Sequence, residues 1–170
     1  MTPLERINII RKWILEYVEN MDNPANCLVV GISGGIDSSV VSTICAMTGM
    51  KTLVVSMPIP QRPEHHELSI KHKNWISTKY KNCFGVEIDL THTFLNFENQ
   101  MIDMKFKDEL GLANSRARMR MMCLYQVSAS TSGLVVGTGN KIEDFGVGFF
   151  TKYGDGGVDI SPIADCSKSE

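Results

Sequence analysis

Cys27-Leu-Val-Val-Gly-Ile32, followed at once by Ser33-Gly-Gly-Ile-Asp-Ser-Ser39, is the stretch on which the fold is read. Its first part is a continuous apolar run rich in β-branched residues, the pattern of a short strand buried on both faces. Two consecutive glycines then let the chain turn sharply, and Ile36, Val40, Ile44 and Met47 recur at helical spacing. Gly49 stands where the residue after that helix takes a left-handed conformation. Strand, glycine turn and helix in direct succession open a βαβ unit.

The same alternation runs outward from this centre. Upstream, Thr2-Pro3-Leu4-Glu5 has the form of a capping box, and Ile7, Ile10, Ile14 and Val18 predict an amphipathic helix to about Met21. Downstream, strands are predicted at Thr52–Met57, over Phe84, Val86, Ile88 and Leu90, and at Leu134–Gly137. Helices are predicted at about Glu64–Lys79, Thr93–Leu110 and Ser115–Ser130, whereas Asp159–Glu170 carries no strand or helix pattern. Strands separated by helices imply right-handed crossovers. The expected fold is therefore α/β, an open parallel sheet flanked by helices on both faces, in one domain over residues 1–170.

Composition bounds the function classes. The 170 residues are 43% hydrophobic and 21% charged, an ordinary globular balance. A net charge of -2 argues against nucleic acid as a partner. No apolar run reaches the ~18 residues of a membrane helix, and no secretory signal is visible. The cytoplasm is the expected location. Cys27, Cys45, Cys83, Cys123 and Cys166 are scattered without a C-x-x-C pair and are expected to be reduced packing residues. His65, His66, His72 and His92 have no metal-ligand spacing and are expected at the surface.

The turn after the first strand carries the clearest chemistry. Without a Cβ, its glycines let the backbone approach a ligand, and the amides and dipole of the helix that follows favour an anion. Ser33, Ser38 and Ser39 are expected to add hydroxyl donors. Asp37 repels phosphate but can hold the Mg²⁺ that accompanies a polyphosphate. The turn matches neither G-x-x-x-x-G-K-[ST] nor G-x-G-x-x-G. Thr138 and Glu143 lie just past the carboxyl end of the last strand, where ligands of open sheets sit, so Glu143 can join Asp37 at one metal. Lys152–Gly157 is a polar, glycine-rich loop suited to close over a charged ligand. Arg116 and Arg120 share one helix face while Arg118 points elsewhere, and such arginines suit phosphate or carboxylate.

S-G-G-x-D-S resembles the pyrophosphate loop of the N-type ATP pyrophosphatases, which adenylate a substrate and share a Rossmann-like, adenine nucleotide alpha hydrolase type of fold. Gly137-Thr-Gly-Asn-Lys-Ile-Glu143, Gly148-Phe-Phe-Thr-Lys-Tyr-Gly-Asp-Gly-Gly157 and Ala117-Arg-Met-Arg-Met121 together are similar to the signatures of one branch, the NAD synthetases. The resemblance runs from about Ile7 to Ser169. It implies ATP binding by Gly31, Ile32, Ser33, Gly34, Gly35, Ile36, Asp37, Ser38, Thr138 and Lys168. It implies Mg²⁺ on Asp37 and Glu143, and deamido-NAD on Arg118, Lys152 and Asp159. The implied reaction amidates deamido-NAD with ammonia, giving NAD, AMP and pyrophosphate, in a homodimer. A partner-supplied glutamine nitrogen, another adenylating amidotransferase such as a GMP synthetase, and a non-catalytic ATP-binding fragment are the alternatives. Two departures stand out. The spacing from Glu143 to Gly-Phe-Phe is one residue longer than in the ammonia-dependent forms, and the chain is expected to lack the family's C-terminal part.

Overall fold

A computed structural model describes residues 1–59, 63–148 and 150–167, with 63–66 and 145 as backbone alone. Four strands, β1 (Cys27–Ile32), β2 (Thr52–Ser56), β3 (Cys83–Glu87) and β4 (Gly133–Val136), form one all-parallel sheet in the order β3-β2-β1-β4. Five helices accompany them: α1 (Pro3–Glu19), α2 (Ile36–Met47), α3 (Pro63–Lys79), α4 (Thr91–Asp103) and α5 (Glu109–Thr131).

The strand side chains alternate, so one apolar run feeds two cores. Leu28 and Val30 meet Ile14 and Val18 of α1 and Val41, Ile44 and Cys45 of α2. Ile32 and Val54 meet Ala46 and Ile76 beneath α2 and α3. On the opposite face Val29, Val55 and Val135 pack with Phe94 of α4 and Leu112, Met121 and Leu124 of α5. Helices thus cover both faces, as the uninterrupted apolar strand predicts. Burial pushes the Cys83 thiol up to about 11 and raises Cys45 further, so both stay neutral packing groups.

Local signals behave as written in the sequence. Thr2 Oγ1 accepts from Glu5 N at 3.2 Å while Glu5 Oε2 accepts from Thr2 N at 2.8 Å, completing the capping box. Gly49 follows α2 at φ 84°. The face of α2 differs from expectation. Val41, Ser42 and Cys45 are buried, whereas Ile36 and Val40 remain exposed, because the glycine turn rotates the helix start outward.

Further differences from the sequence expectation follow. The predicted Thr93–Leu110 helix breaks earlier, after Asp103. Lys105 adopts φ 62°, and Asp108 caps α5 by accepting from Gly111 N at 2.5 Å. Strand β3 ends at Glu87 rather than Leu90, though Ile88 and Leu90 still donate to Ser56 O and Pro58 O. The patternless tail joins the sheet: Ile160 bridges Val136 in parallel and accepts from Gly137 N at 2.8 Å. His72 is half-buried rather than fully at the surface, its Nε2 lying 2.8 Å from buried Ser42 Oγ between α3 and α2. Among the described residues no helix is long and apolar enough to cross a membrane.

Candidate functional site

Strand order β3-β2-β1-β4 reverses direction between β1 and β4, and the carboxyl ends of these strands frame the switch point where open sheets bind ligands. The turn after β1 enters that crevice. Gly34 has φ 83°, a left-handed value that a residue with a Cβ adopts only under strain, and Gly35 begins α2.

The serines of this turn bond within it. Ser38 Oγ and Ser39 Oγ both donate to Gly35 O, at 3.0 and 2.9 Å. Ser33 Oγ accepts from Gly35 N at 3.2 Å, and Ser33 N donates to Ser38 Oγ at 3.3 Å. The hydroxyls therefore brace the turn and fix its shape. The amides of the first turn of α2 lack partners within the helix, and together with the helix dipole they suit an anion.

Two adjoining clefts open from this point. The smaller, about 180 Å³, is lined by Ser33, Gly35, Asp37, Ser38, Thr138, Gly139, Glu143, Asp144 and Asp155. It brings Asp37 and Glu143 together from opposite sides of the switch point. Asn140, almost fully buried, sets Glu143 by accepting from Ile142 N and Glu143 N at 3.0 and 3.1 Å. Burial, and then the nearby Asp155 and Glu143 carboxylates, raise the Asp144 pKa. Among the described residues no three such groups form a self-sufficient metal cage. A pair of carboxylates opposite a phosphate loop instead suits a magnesium ion that takes its other ligands from substrate phosphates and water.

The larger cleft, about 270 Å³, has Gly31, Ile32 and Ser33 of the β1 end, Ser56 and Met57 of the β2 end, and Val136, Gly137 and Thr138 of the β4 end for its floor. Ala117, Arg120, Met121 and Leu124 of α5 form one wall, and Asp155 and Val158 another. Gly31 keeps it open, because a Cβ there would stand 3.2 Å from Leu124 Cδ1 and 3.3 Å from Met57 Cε.

The residues expected to meet a second substrate, Arg118, Lys152 and Asp159, line neither cleft. Arg118 is exposed, and its Nε donates to Lys152 O at 3.0 Å. Asp159 is tied into the fold: its Oδ2 accepts from Val135 N at 2.7 Å and its Oδ1 from the Tyr125 hydroxyl at 2.9 Å. Burial and that bond to the Asp159 carboxylate hold the Tyr125 phenol up at about 12. Thr151 Oγ1 donates to Asn114 Oδ1 at 2.9 Å, docking the glycine-rich loop on α5. The Lys168 assignment falls outside the described residues.

Ile142–Val147 forms a single π-helical turn, closed by Gly148 N donating to Glu143 O. A π turn closes over one more residue than an α turn. Arg120 stands in the sequence among arginines suited to phosphate or carboxylate, whereas Asp155, Asn140 and the Ser56–Met57 strand end were passed over. Only the last had a signal, as the carboxyl end of a parallel strand beside the turn.

Comparison with known proteins agrees with this geometry. The NAD synthase family model matches residues 6–170. The NH(3)-dependent NAD(+) synthetase of Mesoplasma florum is 34% identical over 162 residues, covering 93% of this chain and 64% of that protein. Among solved structures, the NH3-dependent NAD synthetase of Campylobacter jejuni, in complex with the nitrate ion, superposes with a TM-score of 0.87. It is 29% identical, with 100% of this chain and 70% of that one covered. The NMN synthetase of Francisella tularensis gives a TM-score of 0.87 at 28% identity, covering 99% of this chain and 67% of that one. The chain spans just under two thirds of the length of the Mesoplasma florum relative.

Proposed function

The chain belongs to the NAD synthase family, and from that premise we propose that it takes part in the ATP-dependent amidation of deamido-NAD by ammonia. The products are NAD, AMP and pyrophosphate. One observation carries the reading: a self-braced phosphate turn and the Asp37–Glu143 pair face one cleft that opens into a larger, mostly apolar one.

A carboxylate is a poor electrophile, so direct attack by ammonia is slow. In this reading the nicotinate carboxylate attacks the α-phosphorus of ATP, the bond to the β-phosphate oxygen breaks, and pyrophosphate leaves. Ammonia then adds to the activated carbonyl and AMP departs with the bonding pair. The first turn of α2 binds the β- and γ-phosphates by its amides and stabilises the charge developing on pyrophosphate. Thr138 lies opposite that turn, in both clefts. Asp37 and Glu143 would hold Mg²⁺, which offsets phosphate charge when bound. Arg118, whose Nε holds the Lys152 carbonyl, would meet deamido-NAD together with Lys152 and Asp159, and Lys168 completes the ATP contacts in this reading. Such catalysis is positional and electrostatic, with no nucleophilic side chain required. A homodimer working in the cytoplasm belongs to the same proposal, supported by the exposed Leu110, Met122 and Tyr125 along α5.

The resemblance to an NMN synthetase favours a second acceptor, nicotinic acid mononucleotide, in the same chemistry. Turnover of ATP to AMP with ammonia, measured against deamido-NAD, nicotinic acid mononucleotide and xanthosine monophosphate, separates the readings. AMP release driven by deamido-NAD supports the proposal, whereas release with xanthosine monophosphate alone overturns it. ATP binding without AMP release for any acceptor would leave an ATP-binding fragment.

A further inference from the structure

Three arginines follow one another on α5, and their environments differ. The Arg116 guanidinium sits over the Phe94 ring at 5.0 Å from its centroid. Arg118 is exposed and bound to the Lys152 carbonyl. Arg120 alone of the three lines the larger cleft, half-buried beside Met57 and Ser56. Its Nε donates to Met57 O at 3.0 Å, which fixes the plane of the guanidinium against the end of β2.

That single bond leaves both terminal nitrogens of Arg120 to face other groups. Among the described residues no carboxylate forms an ion pair with it. Asp155 shares the cleft, but its Oδ1 accepts from Thr151 N. Burial, and then the neighbouring Arg116 charge, disfavour the Arg120 cation. A half-buried guanidinium without an acidic partner, next to a second cation, is an expensive arrangement that an anionic ligand relieves. A planar fork is the geometry that receives two phosphate oxygens at once.

The rest of the cleft indicates which anion. Met57, Met121, Leu124, Val136 and Val158 make it apolar, and at about 270 Å³ it lies near the lower end of small-ligand sites. Through Ser33 and Thr138 it is continuous with the phosphate turn. A nucleoside in the larger cleft with β- and γ-phosphates on the turn leaves its α-phosphate at the junction. We propose that Arg120 is the α-phosphate-binding residue of this site, gripping the nucleoside monophosphate that persists from ATP through the adenylate to AMP. This rests on the nucleotide reading above and adds the residue that reads the reacting phosphate.

The test compares AMP with adenosine, which differ by that phosphate alone, in calorimetric titrations of the whole chain and of Arg120→Met and Arg120→Lys. The unaltered chain is expected to prefer AMP. Arg120→Met should lose about 10- to 100-fold in AMP affinity while keeping its adenosine affinity. Arg120→Lys also loses the tether to Met57 but keeps a cation, so it should recover part of the preference for AMP. Equal losses for both ligands, in both variants, would mark a purely structural role and overturn the assignment. So would an unchanged preference in Arg120→Met, whatever happens to deamido-NAD binding. If the unaltered chain binds ATP but neither AMP nor adenosine, the α-phosphate assignment fails alone. If it binds no adenine nucleotide, the nucleotide reading fails with it.

Discussion

The two sides of the crevice are built by opposite means. On the β1 side, residues 33–39 hold one another: the side-chain hydrogen bonds of Ser33, Ser38 and Ser39 reach only a few positions along the sequence. On the β4 side, Thr151, Lys152 and Asp159 are held from a distance. Asn114 grips Thr151, Arg118 grips the Lys152 carbonyl, Tyr125 grips Asp159, and Asp159 grips the β4 backbone. A self-braced turn presents one shape whatever its neighbours do. A region suspended from α5 is shaped by where that helix docks. Damage on the first side should therefore register in ligand affinity, and damage on the second in the stability of the fold.

The largest expected effect lies where the two sides meet. Asp37→Asn and Glu143→Gln should each weaken Mg²⁺-dependent ATP binding by roughly 100-fold, since each removes a charged metal ligand worth several kcal/mol. Titrating ATP with and without Mg²⁺ checks this, and unchanged metal dependence in both variants would falsify the pairing. Next, Asp159→Ala removes the acceptor for Val135 N and Tyr125, and should cost about 1.5–3 kcal/mol of stability. A lowered denaturant midpoint is the expected readout, and weaker ATP binding at full stability would reverse the division between the two sides.

Gly34→Ala probes the self-braced side. A Cβ at φ 83° costs about 1–2 kcal/mol, and the turn can escape that strain only by changing shape. Affinity for ATP should fall more than the melting temperature does. A variant with lowered stability and full affinity would show that the turn is not preformed. The smallest effect is a pH dependence at Tyr125. Its folded pKa, about 12, lies above the ordinary value near 10, so the neutral phenol is favoured in the fold. That contribution is complete below about pH 10 and is lost as the pH rises towards 12. Tyr125→Phe should flatten the alkaline limb of a stability-versus-pH curve, and an unaltered limb would exclude the Tyr125–Asp159 bond as its source.

The same contrast explains what could be read from the chain. The strand, glycine turn and α2 were legible because each is decided by residues adjacent in sequence. So were the capping box at Thr2 and the left-handed Gly49. Asp37 and Glu143 were identified by motif, and the parallel topology brings them to one cleft. Which of the three arginines enters the larger cleft was not legible, because arginines on one helix are distinguished only by how α5 rotates against the sheet. The buried face of α2 and the bridge at Ile160 were hidden for the same reason, each depending on partners far away in sequence. The break before α5 was legible in principle. Asp108-Glu-Leu-Gly111 carries a helix start, overlooked because apolar residues continue across it.

The π turn at Ile142–Val147 bears on how such a chain can vary over time. Three nucleotides inserted into a coding sequence add one residue, and inside an α-helix that residue would rotate everything after it by about 100°. Where the helix can widen for one turn, the insertion is silent downstream: Gly148 restores the path, and the loop still reaches Asn114 and Arg118. Such a joint makes length a tolerable polymorphism beside a functional cleft. Lineages are then free to differ there by a codon while keeping the same contacts on α5.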